Sequence, residues 1–160
     1  MAKSIYQSEI TLKMNSRLFI NACEGVTDAQ AKERVSDHNN PFIWLVTHTV
    51  WARLNICGML GKQVTNPYES KFANFKPFDP NDQYPTLDEI KAEWNKATAI
   101  LTEALATVTE EHLAADCPLK SPIGDFSFGG TIAFLTQHES YEIGQMGFLK
   151  KYLTKEAMKY

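Results

Sequence analysis

The run from Phe42 to Leu60 restricts the possible folds of this chain more than any other segment. Asn40 is suited to cap a helix, and Pro41 suits a first helical position, where a missing N–H costs nothing. Phe42, Ile43, Trp44, Leu45, Val46, Val50, Trp51, Leu54 and Ile56 then cover much of a helical circumference, until Gly61 ends the run. A helix that is apolar on so many sides is buried on more than one of them, so other helices must surround it. His48, Arg53 and Asn55 interrupt the run, so it lacks the roughly 18 uninterrupted apolar residues of a membrane span.

Three further segments have helical spacing. From about Ser4 to Cys23, residues Ile5, Leu12, Phe19, Ile20 and Cys23 share a stripe with the small Ser8 and Ser16, and Gly25 stops the segment. Thr27-Asp28-Ala29-Gln30 has the form of a capping box and predicts a short helical turn. A second box, Thr86-Leu87-Asp88-Glu89, opens a helix whose face is marked by Leu87, Ile90, Trp94, Ala97, Leu101, Leu105 and Val108. The last helix runs from about Gly130 to Leu153, with Phe134, His138, Glu142, Gln145, Leu149 and Tyr152 on one stripe. Ser121 to Gly130 reads as a turn or short hairpin, and no other β-structure is expected. The fold class is all-α, in a single domain spanning 1–160.

Between Gly61 and Pro85 lie about 25 residues with four prolines, a long connection by the standard of compact domains. Its length lets the third long helix run parallel to the second. Its aromatics, Tyr68, Phe72, Phe75, Phe78 and Tyr84, can pack over the bundle and roof a site.

A net charge of −3 and the lack of a dense basic cluster argue against nucleic acid as a partner; Lys150, Lys151, Lys155 and Lys159 are spread along a tail and diluted by Glu156. Cys23, Cys57 and Cys117 are odd in number and far apart, which argues against a disulfide framework and against a cysteine-based zinc site. Reduced, buried cysteines and an N-terminus without a signal-peptide core predict a cytoplasmic protein without a membrane anchor.

His138 and Glu142 are four residues apart, so they stack on one helical face with Cβ atoms roughly 5–6 Å apart. An imidazole nitrogen and a carboxylate oxygen at that spacing can converge on one ion at about 2.0–2.2 Å. Their stripe is otherwise core-facing, where an unpaired carboxylate is costly. His48 sits on the stripe Leu45, His48, Ala52, Asn55 and Met59, also expected to face the core. Two polar groups on one helix and one on another are what a metal site inside a helical bundle needs. The alternative for Glu142 is a buried carboxylate hydrogen-bonded to His138 or His48 without an ion. Gln145 and Tyr141 are neighbours of the set; Gln145 is expected to be a packing amide, and Tyr141 is a candidate proton donor. Trp44, Trp51 and Trp94 are expected in the core, and His38 and His112 in solvent.

Pro41-Phe-Ile-Trp-Leu-Val-Thr-His48, followed by Gln137-His138-Glu-Ser-Tyr-Glu142-Ile-Gly-Gln145, resembles the DinB/YfiT-like superfamily of metalloenzymes. The resemblance covers most of the chain. It implies an up-down-down-up four-helix bundle with a long crossover between helices two and three. It also implies a divalent metal held by one histidine of helix two and by a His-x-x-x-His-x-Gly-Gln motif in helix four. His48, His138, Gly144 and Gln145 match that pattern, whereas Glu142 stands in place of the last histidine. Two histidines and one glutamate are a competent set for zinc and also resemble the facial triad of non-haem iron, so zinc, nickel and iron all remain open.

Superfamily members of known activity are thiol-dependent S-transferases, a thiol-dependent isomerase and metal-dependent hydrolases. The resemblance therefore implies thiol-transferase or hydrolase chemistry on a small molecule, with a low-molecular-weight thiol as a possible partner, and a homodimer. The competing expectation is a non-catalytic bundle with a weakened or lost metal site that binds a small ligand or self-associates.

Overall fold

A computed structural model describes residues 2–160 of the chain. It is helical throughout: α1 (Tyr6–Cys23), α2 (Asp28–Ala31), α3 (Phe42–Met59), α4 (Glu69–Phe72), α5 (Leu87–Thr107), α6 (Glu110–Ala114) and α7 (Phe128–Thr154). Short 3-10 turns at Lys3–Ile5 and Ala73–Phe75 complete the set. Among the described residues, β-structure is confined to one isolated antiparallel bridge between Asp116 and Ser127, which begins ahead of the turn or short hairpin expected over 121–130. No described helix is long and apolar enough to cross a membrane.

Both capping boxes form. The Thr27 hydroxyl accepts from the Gln30 N–H and that of Thr86 from the Glu89 N–H, while the Gln30 and Glu89 side chains reach back. Asp28 also accepts from the Leu87 N–H at 2.8 Å, so α2 helps to anchor the start of α5. Two helix starts differ from expectation. In α3 the N-cap is Pro41, extended at ψ 160°, rather than Asn40, and no side chain caps the helix. The preceding loop holds its own polar groups: Asn39 accepts from the Ser36 N–H and donates to the Asn40 carbonyl. In α7 the helix begins at Phe128, where the Ser127 hydroxyl accepts from the Gly130 N–H at 3.0 Å. The paired glycines, poor helix formers, obscured that start in the sequence. Gly130 is there because a Cβ would lie 2.3 Å from Asp125 Cγ, and Asp125 in turn accepts from the Ser127 N–H and hydroxyl.

The four long helices touch in a ring: α1 packs on α7, α7 on α3, α3 on α5 and α5 on α1. With α5 and α7 beside it and α2 and α4 also in contact, α3 buries Phe42, Ile43, Leu45, Val46, Val50, Leu54 and Ile56 within the chain itself. Its all-round apolar character is thus accounted for without a second copy. Trp94 is fully buried and stacks on Phe19 at 3.9 Å. Trp44 and Trp51 are only partly buried, contrary to expectation, because their side of α3 faces a cavity.

At the centre of the ring lies a polar cluster. The Arg53 guanidinium forms a two-pronged contact with Glu139 (Nε to Oε2 2.9 Å, Nη2 to Oε1 2.7 Å). It also donates to Ser16 Oγ and Thr98 Oγ1, both at 2.8 Å, and to the Leu12 carbonyl at 3.2 Å. All five of its N–H groups are therefore matched. Its carbon lies 3.5 Å from the centre of the Trp94 ring, and Asn15 adds a hydrogen bond to Glu139 at 3.0 Å. The cluster joins α1, α3, α5 and α7.

In the 61–85 connection, Tyr68 and Phe72 are buried, and Phe78 stacks on Tyr84 with ring centres 6.4 Å apart. The expectation for Phe75 concerns a side chain outside the described residues.

Candidate metal centre

In the stripe Leu45, His48, Ala52, Asn55 and Met59 of α3, Leu45 and Ala52 are buried in the core and the other three are only partly buried. All five residues line a cavity of about 780 Å³. From α7, residues Phe134, His138, Tyr141, Glu142 and Gln145 line the same space. Phe72, Lys76 and Pro77 of the long connection contribute to its walls, as expected of a roof, and Leu119 to Pro122 contribute from the segment before α7. Helix geometry explains the convergence: residues at three- and four-residue spacing share a face, and two such faces, on α3 and α7, meet across the cavity.

His48, His138 and Glu142 come together there, with one donor atom from each within 4.8 Å of the others. His48 Nδ1 contacts Glu142 Oε1, and His138 Nε2 lies 3.5 Å from the same oxygen. The two imidazole centres are 5.6 Å apart and nearly perpendicular. The His48 ring is held on several sides. It stacks on Trp44 at 4.6 Å, meets Phe72 edge-on at 5.0 Å and lies 5.1 Å from Trp51. His138 stacks on Phe134 at 6.2 Å. The Trp51 N–H donates to Glu69 Oε2 at 2.8 Å, which ties α4, and with it Phe72, to this side of α3.

Glu142 is only 2% exposed. Among the described residues its ion-pair partners are the two imidazoles; no lysine or arginine reaches it. Its other oxygen lies 3.1 Å from the Thr49 hydroxyl, which is also 2.7 Å from the Leu45 carbonyl. Of the cysteines, Cys23 and Cys57 are buried with thiols pushed up to about 12 by desolvation, and Cys117 is buried as well. None of the three lines the cavity.

The donor set fits a divalent ion. Ligand atoms about 2.0–2.2 Å from a tetrahedral ion lie roughly 3.3–3.5 Å from one another. The 3.5 Å separation of His138 and Glu142 already has that value, and His48 and Glu142, now in direct contact, would move apart to admit an ion. Two nitrogens and one oxygen suit zinc, and the cavity leaves room on the open side.

Gln145 and Tyr141 both border the cavity, and Tyr141 is largely exposed. Gln145 forms no hydrogen bond among the described residues, so the packing role expected of it is not anchored by one. His38 is exposed as expected. His112 is not simply solvated: its Nε2 lies 2.6 Å from the Met59 carbonyl and its ring stacks on Phe128. Three features escaped the sequence reading. Thr49 beside Glu142 has no signal in the sequence, and neither do the lysines at the cavity wall. The Arg53–Glu139 pair had one, since a lone arginine in an apolar helix demands a buried partner.

An all-helical chain that presents two histidines and a glutamate from two facing helices to a cavity defines a class of bundle proteins with a candidate inter-helical metal centre. This chain belongs to the DinB superfamily, whose profile matches residues 11–146. A crystal structure of a conserved protein from Enterococcus faecalis has a similar fold, with a TM-score of 0.72 at 16% identity, covering 98% of this chain and 99% of that one. No curated protein matches the chain.

Proposed function

We propose that this protein is a divalent-metal-dependent enzyme acting on a small molecule, with zinc, nickel or iron held by His48, His138 and Glu142. The observation that carries the proposal is the convergence of those three side chains at a cavity of about 780 Å³. Membership of the DinB superfamily supports it. The proposal includes one domain over the whole chain, with its long helices running up-down-down-up. Contacts of Asn15 with Glu139 and of Glu24 with Lys150 support a parallel α1 and α7.

A bound divalent ion supplies Lewis acidity toward a thiol, water or carbonyl on its open side. The chain's own residues set the rest. Trp44, Trp51 and Phe72 hold the His48 ring in place, and Thr49 positions the Glu142 carboxylate. Phe72 meets the His48 ring and Phe134 stacks on the His138 ring, so each imidazole has an apolar neighbour. Tyr141 places a phenol at the wall, in reach of solvent, to exchange a proton. All three cysteines are buried and none lines the cavity, so the chain offers no thiol of its own there; following the family resemblance, the nucleophile is taken as a low-molecular-weight thiol, in an S-transferase, or water, in a hydrolase.

Protein purified without chelator and dialysed against zinc should hold close to one ion per chain by elemental analysis. His48→Ala and His138→Ala should bring that content to background. Metal-loaded protein should accelerate conjugation of a small thiol to an aryl halide, or hydrolysis of an activated ester, above the metal-free rate. Background metal in the wild type, or full activity in its chelated form, would sink the proposal.

The direct His48–Glu142 contact, with Thr49 on the other oxygen, favours a second reading. The carboxylate is satisfied without an ion, and the bundle binds a ligand without catalysis. Glu142→His separates the two: a large gain in zinc affinity would mean that the present set is a weak remnant.

A further inference from the structure

We propose that the cavity takes an organic anion with an apolar, ring-bearing body, its acidic group received by Lys76 and Lys120. The first ground is charge. The residues bordering the cavity include one carboxylate, Glu142, which His48 already engages, and two lysines, Lys76 and Lys120. Neither lysine forms an ion pair among the described residues. Lys76 Nζ donates one proton to the Ser70 carbonyl at 2.7 Å and keeps two N–H groups for a ligand. Lys120 Nζ lies 5.0 Å over the Phe126 ring, a contact that leaves its N–H groups without a carboxylate. In a chain of net charge −3, a cavity with a local cationic excess is set against the overall sign.

The second ground is shape and polarity. Trp44, Trp51, Phe72 and Phe134 supply aromatic walls, and Met59 and Leu135 add aliphatic ones. A volume of about 780 Å³ lies within the range of small-molecule sites, which combine apolar walls with a few orienting polar groups. Both lysines are exposed and come from two different loop segments, one before α5 and one before α7. The acidic group therefore sits toward solvent, and the body of the ligand extends inward past the rings to the His48, His138 and Glu142 end. The class is an aryl or fused-ring carboxylate or sulfonate. The inference rests on the proposed metal site for which end of the ligand reacts, but not for which ligand binds.

The test is displacement of 8-anilinonaphthalene-1-sulfonate fluorescence from the chelated, folded protein by 2-naphthoate and by neutral 2-naphthalenemethanol. Naphthoate is expected to displace the dye at a concentration ~10-fold lower than the alcohol, the scale of one charge-assisted contact. Lys76→Gln with Lys120→Gln should bring that ratio close to one, while arginine at both positions should retain it. Equal displacement by acid and alcohol in the wild type would overturn the assignment, as would a ratio unchanged in the glutamine variant. Repeating the measurement with zinc keeps the two proposals separate. A lysine-dependent ratio in a protein that binds no zinc defeats the metal proposal alone, and zinc binding with a ratio of one defeats this one alone.

Discussion

Arg53 has no exposed surface, and its charge is balanced by Glu139, which has none either. Such a pair gives little net stability over well-packed apolar residues, because desolvation offsets the attraction. Breaking it is another matter. Arg53→Met alone should destabilise the fold by about 3–5 kcal/mol by leaving the Glu139 charge buried. The joint change with Glu139→Leu should recover most of that loss, as read by chemical denaturation of the two single variants and the double. Equal losses in single and double variants would show that the pair is not the energetic unit. At the same scale, His48 and Glu142 show why a site residue is harder to read than a core residue. Trp44, one helical turn before His48, is a local neighbour of the ring, but Phe72 beside the ring and Thr49 beside the Glu142 carboxylate are brought in by folding.

Among the elements, α3 and α7 each have two functions. One face of each supplies core, and another supplies the cavity wall. The long connection is joined to them by few polar contacts, notably Trp51 with Glu69 and Asn66 with the Trp51 carbonyl. Glu69→Ala, which removes the acceptor, should therefore loosen α4 without unfolding the bundle. Amide hydrogen exchange should speed up across 66–77, while global stability changes by no more than ~0.5 kcal/mol, as for an exposed contact. Unchanged exchange there would mean that Phe72 is held by packing alone. Element boundaries were legible where side chains cap the backbone, as at Thr27 and Thr86. They were less legible at Pro41 and Ser127, where a proline and a glycine pair weaken the local signal.

For the whole molecule, an ion bound only by the folded state raises stability by mass action. Free zinc at about 100 times its Kd should add about 2.7 kcal/mol. For a chain of this length that corresponds to a rise in Tm of about 5–10 °C. The gain should shrink as the solution is acidified, because ligation requires neutral imidazoles and an ionised carboxylate. It should also vanish in His138→Ala. Differential scanning fluorimetry with and without zinc across pH checks both, and a zinc shift that survived in His138→Ala would place the ion elsewhere.

Helical periodicity and capping chemistry are local, so the long helices and the pairing of His138 with Glu142 could be read directly from residue spacing. The positions that neither spacing nor capping could settle are those where separate segments meet. Whether the His48 stripe faced core or cavity, whether Trp44 and Trp51 were fully buried, and which carboxylate would neutralise Arg53 all depended on how α3 lies against α5 and α7. Burial and electrostatics act between residues close in space, and for these groups the partners lie dozens of positions away along the chain.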